Sequence, residues 1–206
     1  MYLIRDKTVF IILTLILCLP AHGKIGDTGA TDVIETFNSA LIESMKGADE
    51  LGYSGRYKLL EPVMKDSFAL SFMLKTAVGR QWKKLEDEQK KRLFNIYSDW
   101  SIGNYADRFD HYSGERFEVS SEEAASQGAV TVTSHLIKTS GEKIDFNYKL
   151  RSVKDRWLIV DIHISGVSQL ALTRSQFQSV IKTDGVDGLI NKLKDKLEGF
   201  SSDKKE

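Results

Sequence analysis

Between Lys143 and Arg151 the chain alternates without interruption: Ile144, Phe146, Tyr148 and Leu150 can face one side while Lys143, Asp145, Asn147, Lys149 and Arg151 face the other. A period of two held over nine residues is that of a half-buried antiparallel strand, apolar towards a core and charged towards water. Ser140-Gly141 marks a hairpin turn from a preceding strand, Ala129 to Thr139, and Ser152 to Asp155 marks the turn into a following one, Arg156 to Ser165. With Arg116 to Ser121 as a first strand, the spacing predicts a meander of at least four strands.

The segments on either side of this meander carry the helical period instead. Asp32 followed by Glu35 has the form of a capping box, and Val33, Phe37, Leu41 and Met45 keep one face apolar until Gly47. A second helix, Tyr53 to Leu60, is expected to be interrupted by Pro62, which suits the first turn of a new short helix. A third runs from about Ser67 to Val78 and stops at Gly79, and a long fourth covers Glu86 to Phe109, with Leu93, Tyr97 and Trp100 on one stripe. Two helices close the chain, Ser168 to Lys182 and Val186 to Phe200, separated by Thr183-Asp184-Gly185. The expected fold is therefore α+β: N-terminal and C-terminal helices packed on a curved antiparallel meander sheet of four to five strands. The helical part spans 31–109, the sheet 115–165 and the closing helices 168–199, all in a single domain, 24–199, with 200–206 as a disordered tail.

The first 23 residues stand outside that domain. Arg5 and Lys7 form a basic start, Thr8 to Leu19 is almost wholly apolar, and Pro20-Ala21-His22-Gly23 supplies a break and small residues, the pattern of a cleaved secretory signal peptide. The apolar run is too short for a membrane span. Cys18, preceded by bulky Leu17, reads as signal hydrophobicity and not as a lipidation site. Its removal leaves a mature chain with no cysteine, so stability has to come from an apolar core and not from disulfides. The full chain carries 29 basic and 29 acidic residues, and setting aside Arg5, Lys7 and Asp6 leaves a net charge of −1. Such a balance gives no electrostatic reason to expect nucleic acid as a partner.

Three residue groups could carry chemistry. Asp161 and His163, two apart on a strand, share a face, with Trp157 and Ile159 expected on the same side. They could act as an oriented general base or as metal ligands. The better-supported reading has Asp161 accepting hydrogen bonds from the start of the next helix or from an Arg, since His111 and His135 stand in no metal-ligand spacing to it. Ser168 follows Gly166-Val167 where a helix N-cap is expected, and the chain has neither a Gly-x-Ser-x-Gly elbow nor a phosphate-cradling glycine loop. Arg174 shares a helix face with Leu170, Phe177 and Ile181, so its guanidinium needs a carboxylate, with Asp161 the natural structural partner, or a lipid phosphate. The aromatic supply, with Trp82, Trp100 and Trp157 among many Tyr and Phe, can form a dense core or line a cavity. Periodicity alone favours the core.

Taken in order, Trp157, Asp161, Gly166-Val167-Ser168, Arg174, Phe177 and Gly185-x-x-Gly188-Leu189-Ile190 resemble the closing signature of the MlaC family, periplasmic phospholipid carriers of an ABC lipid transport system also labelled toluene-tolerance auxiliary proteins. The resemblance continues upstream through Arg56-Tyr57, Leu60-x-Pro62, Phe68, Gly79-x-x-Trp82-x-x-Leu85, Tyr105-Ala106-x-x-Phe109 and Ser113-Gly114, covering about Asp32 to Leu197. Tyr112 to Phe117, together with Trp157, looks closest to the hopanoid-associated HpnM branch. The chain departs from the family pattern at Thr173, Gln169 and Glu86-Asp87. The resemblance implies an apolar cavity between sheet and helices that holds acyl chains, with Met73, Val78, Leu93, Tyr97, Trp100, Tyr105, Phe146, Tyr148, Val160 and Ile162 as candidate lipid contacts. Asp161 and Arg174 become structural or headgroup-near residues. It further implies a periplasmic monomer with a phospholipid or hopanoid ligand, docking to an inner-membrane ABC transporter complex and an outer-membrane lipoprotein complex, with no cofactor, metal or catalytic residue. Two competing readings are an enzyme using Asp161 and His163 in a cone-shaped α+β cavity, and an importer's receptor for a soluble ligand. The second is disfavoured by a chain too short for two hinged lobes.

Overall fold

A computed structural model describes residues 29–202. The chain runs α1 (Ala30–Lys46), α2 (Ala48–Ser67), α3 (Leu70–Val78), a 3₁₀ segment (Gly79–Lys84) and α4 (Asp87–Arg108), then β1 (Arg116–Ala124), β2 (Ala129–Ile137), β3 (Lys143–Val153), β4 (Arg156–Ile164) and β5 (Val167–Ser168), and ends in α5 (Gln169–Ser202). The expected signal peptide, residues 1–23 with Cys18, lies outside the described residues, as does 203–206 of the expected tail. α5 itself continues through Ser202.

The five strands form one antiparallel meander in the order β1-β2-β3-β4-β5. Cross-strand partners keep the apolar residues in rows: Val132 stands opposite Tyr148 and Tyr148 opposite Ile162, while Val130, Leu150 and Ile159 form the next row. All six are at most 7 % exposed, because α1 crosses this face against β1, β2 and β4 while α2 and α3 lean on β4. α4 then packs on α2, and α5 on α3 and α4. The opposite face is polar, with Thr133 hydrogen-bonded to Asn147 and His135 to Asp145. The pleat thus converts an alternating sequence into a one-sided sheet with helices on its apolar side.

Several local expectations are corrected by packing. α1 begins two residues before Asp32, because the Asp32 carboxylate reaches back to accept the Gly29 N–H at 3.0 Å. Pro62 does not interrupt α2: the helix breaks instead at Gly52 (φ 57°, ψ −176°) and runs on through the proline. Proline in a helix costs roughly 3 kcal/mol, but Leu60 and Met64 on either side are fully buried, and their burial outweighs it. Ser67 closes α2 and Phe68 bridges to Ile159, so α3 starts at Leu70. The two expected closing helices are present as the halves of α5, separated at Gly185 (φ 70°, ψ −172°).

One register shift changes a side-chain assignment. Lys149 faces Asp161 but Leu150 faces Ile159, so Val160 is an extra residue on β4. The bulge sends Ile159 to the core and leaves Asp161 and His163, opposite Lys149 and Asn147, on the polar face. Strict alternation had put Ile159 beside Asp161; the inserted residue reverses the phase.

Candidate lipid-binding site

The interior between sheet and helices is built from rings. Phe37 of α1 stands edge-on to Phe68, Tyr105 and Tyr148, with centroids 4.9, 5.4 and 6.3 Å away. Tyr148 stacks on Phe146, which meets Phe117 of β1, and Tyr105 stacks on Phe109. A second cluster joins Tyr97 and Trp100 of α4 to Phe177 of α5 at 5.8 to 6.0 Å. Edge-to-face geometry at these separations is favourable for aromatic quadrupoles, so helices and sheet meet through ring contacts rather than through aliphatic side chains alone.

The ten residues expected to contact lipid fall into this architecture unevenly. Tyr105, Phe146 and Tyr148 belong to the first cluster and Tyr97 and Trp100 to the second. Val78, Leu93 and Ile162 are buried in the same core, and Met73 packs half-buried against it. Val160, on the bulge, is buried but lies outside that core. The interior is apolar, and its own side chains fill it in this conformation: Leu93 and Tyr148 are 0 % exposed. Of the ten, only Val78 reaches the wall of a described cleft.

Polar groups inside this core are few. The Tyr148 hydroxyl donates to Asn38 Oδ1 at 2.7 Å, and Asn38 Nδ2 donates to Ser134 Oγ at 3.1 Å, tying α1 to β2 and β3. Burial pushes the Tyr97 phenol up to about 12 and those of Tyr105 and Tyr148 well above the usual tyrosine value, so all three stay neutral. Sequence reasoning left Asn38 out of the site. Its signal was there: a polar residue one turn after Ile34 and three before Leu41, in the middle of an apolar stripe. The Trp100 indole N–H, by contrast, is buried without a partner among the described residues.

Asp161 is a structural hub. Its carboxylate accepts from the Ser168 hydroxyl (2.7 Å), the Leu170 N–H (3.0 Å) and the Ile162 N–H (2.8 Å), with His163 Nε2 at 3.0 Å. Ser168 Oγ in turn accepts the Ala171 N–H at 3.0 Å. A nucleophilic triad needs the imidazole between serine and carboxylate; here the carboxylate is in the middle, and both side chains satisfy the first turn of α5. No group of three or more His, Cys, Asp or Glu able to hold a metal occurs among the described residues.

The expected pairing of Arg174 with Asp161 is not formed. Arg174 is exposed on α5 and has no ion-pair partner among the described residues. It lines a cleft of about 760 Å³ between α5 and the 3₁₀ segment, together with Arg80, Lys182 and Gln178. Helix phase explains the miss: Phe177 turns inward at 3 % exposure, and Arg174, three residues earlier, sits at the rim of that face. Among the described residues the buried guanidinium is that of Arg56, which donates to the carbonyls of Ala106 (2.8 Å) and Ala48 (3.0 Å) and ties α2 to the end of α4 and to its own first turn.

Helices laid on one face of an antiparallel meander, with a ring-rich interior between the two layers, define an α+β protein. The chain matches the MlaC protein family over residues 35–195 and belongs to that family. It is similar to the intermembrane phospholipid transport system binding protein MlaC of Haemophilus influenzae, with 21 % identity over 203 residues and 94 % of each chain covered. Its fold is similar to that of a phospholipid-binding protein from Ralstonia solanacearum, solved in complex with a phospholipid, with a TM-score of 0.73 and 22 % identity. That likeness covers 84 % of this chain and 99 % of the other.

Proposed function

We propose that this protein is a periplasmic lipid carrier that takes a phospholipid, or a hopanoid-type lipid, from one membrane complex and delivers it to another. The observation that carries the reading is the aromatic interior between α1, α4, α5 and the meander, which contains nine of the ten expected contacts. The printed functions of the Haemophilus and Ralstonia relatives support it. Each acyl methylene removed from water is worth about 0.8 kcal/mol, so a free lipid cannot cross an aqueous gap at a useful concentration. An interior as apolar as the bilayer makes the exchange between membrane and protein nearly balanced, which is the condition for giving the cargo up again. Uptake then requires α3 and α5 to part from the sheet so that acyl chains displace ring-to-ring contacts. The unpaired Trp100 N–H offers a donor for an ester carbonyl.

No catalytic step is needed, and Asp161 and Ser168 are committed to holding α5. Docking would be to an inner-membrane transporter and an outer-membrane lipoprotein complex, with the carrier as a monomer. The test is to incubate the purified mature chain with phospholipid vesicles, re-isolate it and extract it with organic solvent. Mass spectrometry is expected to find phospholipid in the protein fraction; an extract free of phospholipid and hopanoid would sink the reading.

A further inference from the structure

The cleft between α5 and the Gly79–Lys84 segment has a floor and a rim of opposite character. Val78 and Ile181 at its base are 1 % and 9 % exposed and belong to the apolar core. Around them stand three exposed cations, Arg80, Arg174 and Lys182, with no carboxylate among the lining residues and no ion-pair partner for any of the three among the described residues. Like charges gathered round one hollow repel each other, and an anion between them relieves that repulsion. The local backbone favours such an arrangement. Arg174 and Gln178, one turn apart on α5, converge on Gly79: a methyl group there would lie 3.0 Å from the Gln178 amide nitrogen and 4.0 Å from the Arg174 guanidinium. Gly79 also has φ +64°, a conformation glycine adopts without strain.

We infer that this cleft is a phosphate subsite, which takes the phosphodiester of a bound lipid's headgroup while the acyl chains pass over Val78 and Ile181 into the core. The inference rests on the carrier reading above and gives it a specificity. Guanidinium groups match phosphate oxygens two at a time, and the Gln178 amide adds a neutral donor. The volume, about 760 Å³, suits a headgroup-sized guest. A lipid with the same acyl chains and no phosphate would gain the apolar part of the binding alone.

The experiment offers the purified mature chain vesicles containing equal amounts of dioleoylphosphatidylglycerol and dioleoylglycerol, then quantifies both lipids on the re-isolated protein. The wild-type chain is expected to enrich the phospholipid about tenfold over the neutral lipid, as one charge-assisted hydrogen-bonded contact allows. The double variant Arg80→Gln/Arg174→Gln, both positions exposed, is expected to keep its total lipid load and lose most of the enrichment. Unchanged enrichment in the variant, or none in the wild type, overturns the subsite while leaving the carrier standing; a wild-type chain that takes up neither lipid removes the carrier itself. Calorimetric titration with inorganic phosphate, without vesicles, separates the two sources of the anion. Tight binding of phosphate that Arg174→Gln abolishes, with lipid enrichment unaffected, would assign the cleft to the free ion and overturn the headgroup reading.

Discussion

Asn38 joins α1, β2 and β3 through one side chain. It is 4 % exposed and bridges Tyr148 to Ser134, so removing its amide strands two hydroxyls away from water. Asn38→Ala is expected to cost about 2–3 kcal/mol in urea unfolding, and Tyr148→Phe about half as much, since it leaves only the Asn38 oxygen unmatched. A double-mutant cycle should show the two effects to be strongly non-additive. Asp161 and His163 make a contrasting pair. Asp161→Ala removes three acceptor contacts and the cap of α5 and is expected to lower stability by about 2 kcal/mol. His163→Ala, at a position that caps nothing, is expected to shift stability by only about 0.5 kcal/mol and to leave lipid transfer between vesicles intact. Loss of transfer in His163→Ala with the fold preserved would return the enzyme reading to consideration.

Among the elements, the two longest helical assignments outside α4 are broken by glycines of nearly the same geometry, Gly52 in α2 and Gly185 in α5. Positive φ with ψ near 180° is a region closed to residues with a Cβ. Neither glycine would bring a Cβ within 4 Å of another group, so any cost of substitution is conformational and not steric. Gly185→Ala is expected to lower the stability by about 1–3 kcal/mol, read as a lower thermal midpoint with little change in the native circular dichroism. The break matters for α5 because its first half bears Arg174 and Phe177 and lies against α3, while the second half buries Leu189, Ile190 and Leu193. Two half-helices can each present a buried face in a direction that one straight helix could not.

For the whole molecule, the buried phenols set an alkaline limit. The pKa of Tyr97 is raised to about 12 and those of Tyr105 and Tyr148 are raised well above the usual tyrosine value, each chiefly by desolvation. A group whose folded pKa lies above its unfolded value holds its proton more tightly in the native state. The stability from these three residues is therefore complete below about pH 10 and is lost as pH rises beyond it. Alkaline titration should show tyrosinate absorbance from these residues appearing together with loss of near-ultraviolet circular dichroism. Tyr148→Phe should make the loss of stability with pH less steep. Under the proposed carrier function, lipid is expected to move the thermal midpoint upward in proportion to the logarithm of its supply, because a ligand of the native interior alone stabilises the folded state.

The alternation of Lys143 to Arg151 and the turn signals around it were enough to specify the meander and its apolar face, because a strand's period is local and its consequences are not ambiguous. The helical regions on either side of it and the ring-rich interior were legible for the same reason. The bulge at Val160, the continuity of α2 through Pro62 and the open rim position of Arg174 were not. Each depends on which neighbour a residue meets across the fold: a register on β3, a buried face shared with α1 and α4, a cleft against Gly79. Asn38 shows where the boundary lies. A polar residue in an apolar stripe announced that something buried must satisfy it, and only the tertiary structure supplied Tyr148 and Ser134. An α+β domain with an aromatic interior followed from the order of residues alone, through periodicities that any short segment carries. Which side chains close that interior and which cations gather at its seam were decided by packing, since those contacts join residues far apart in the chain.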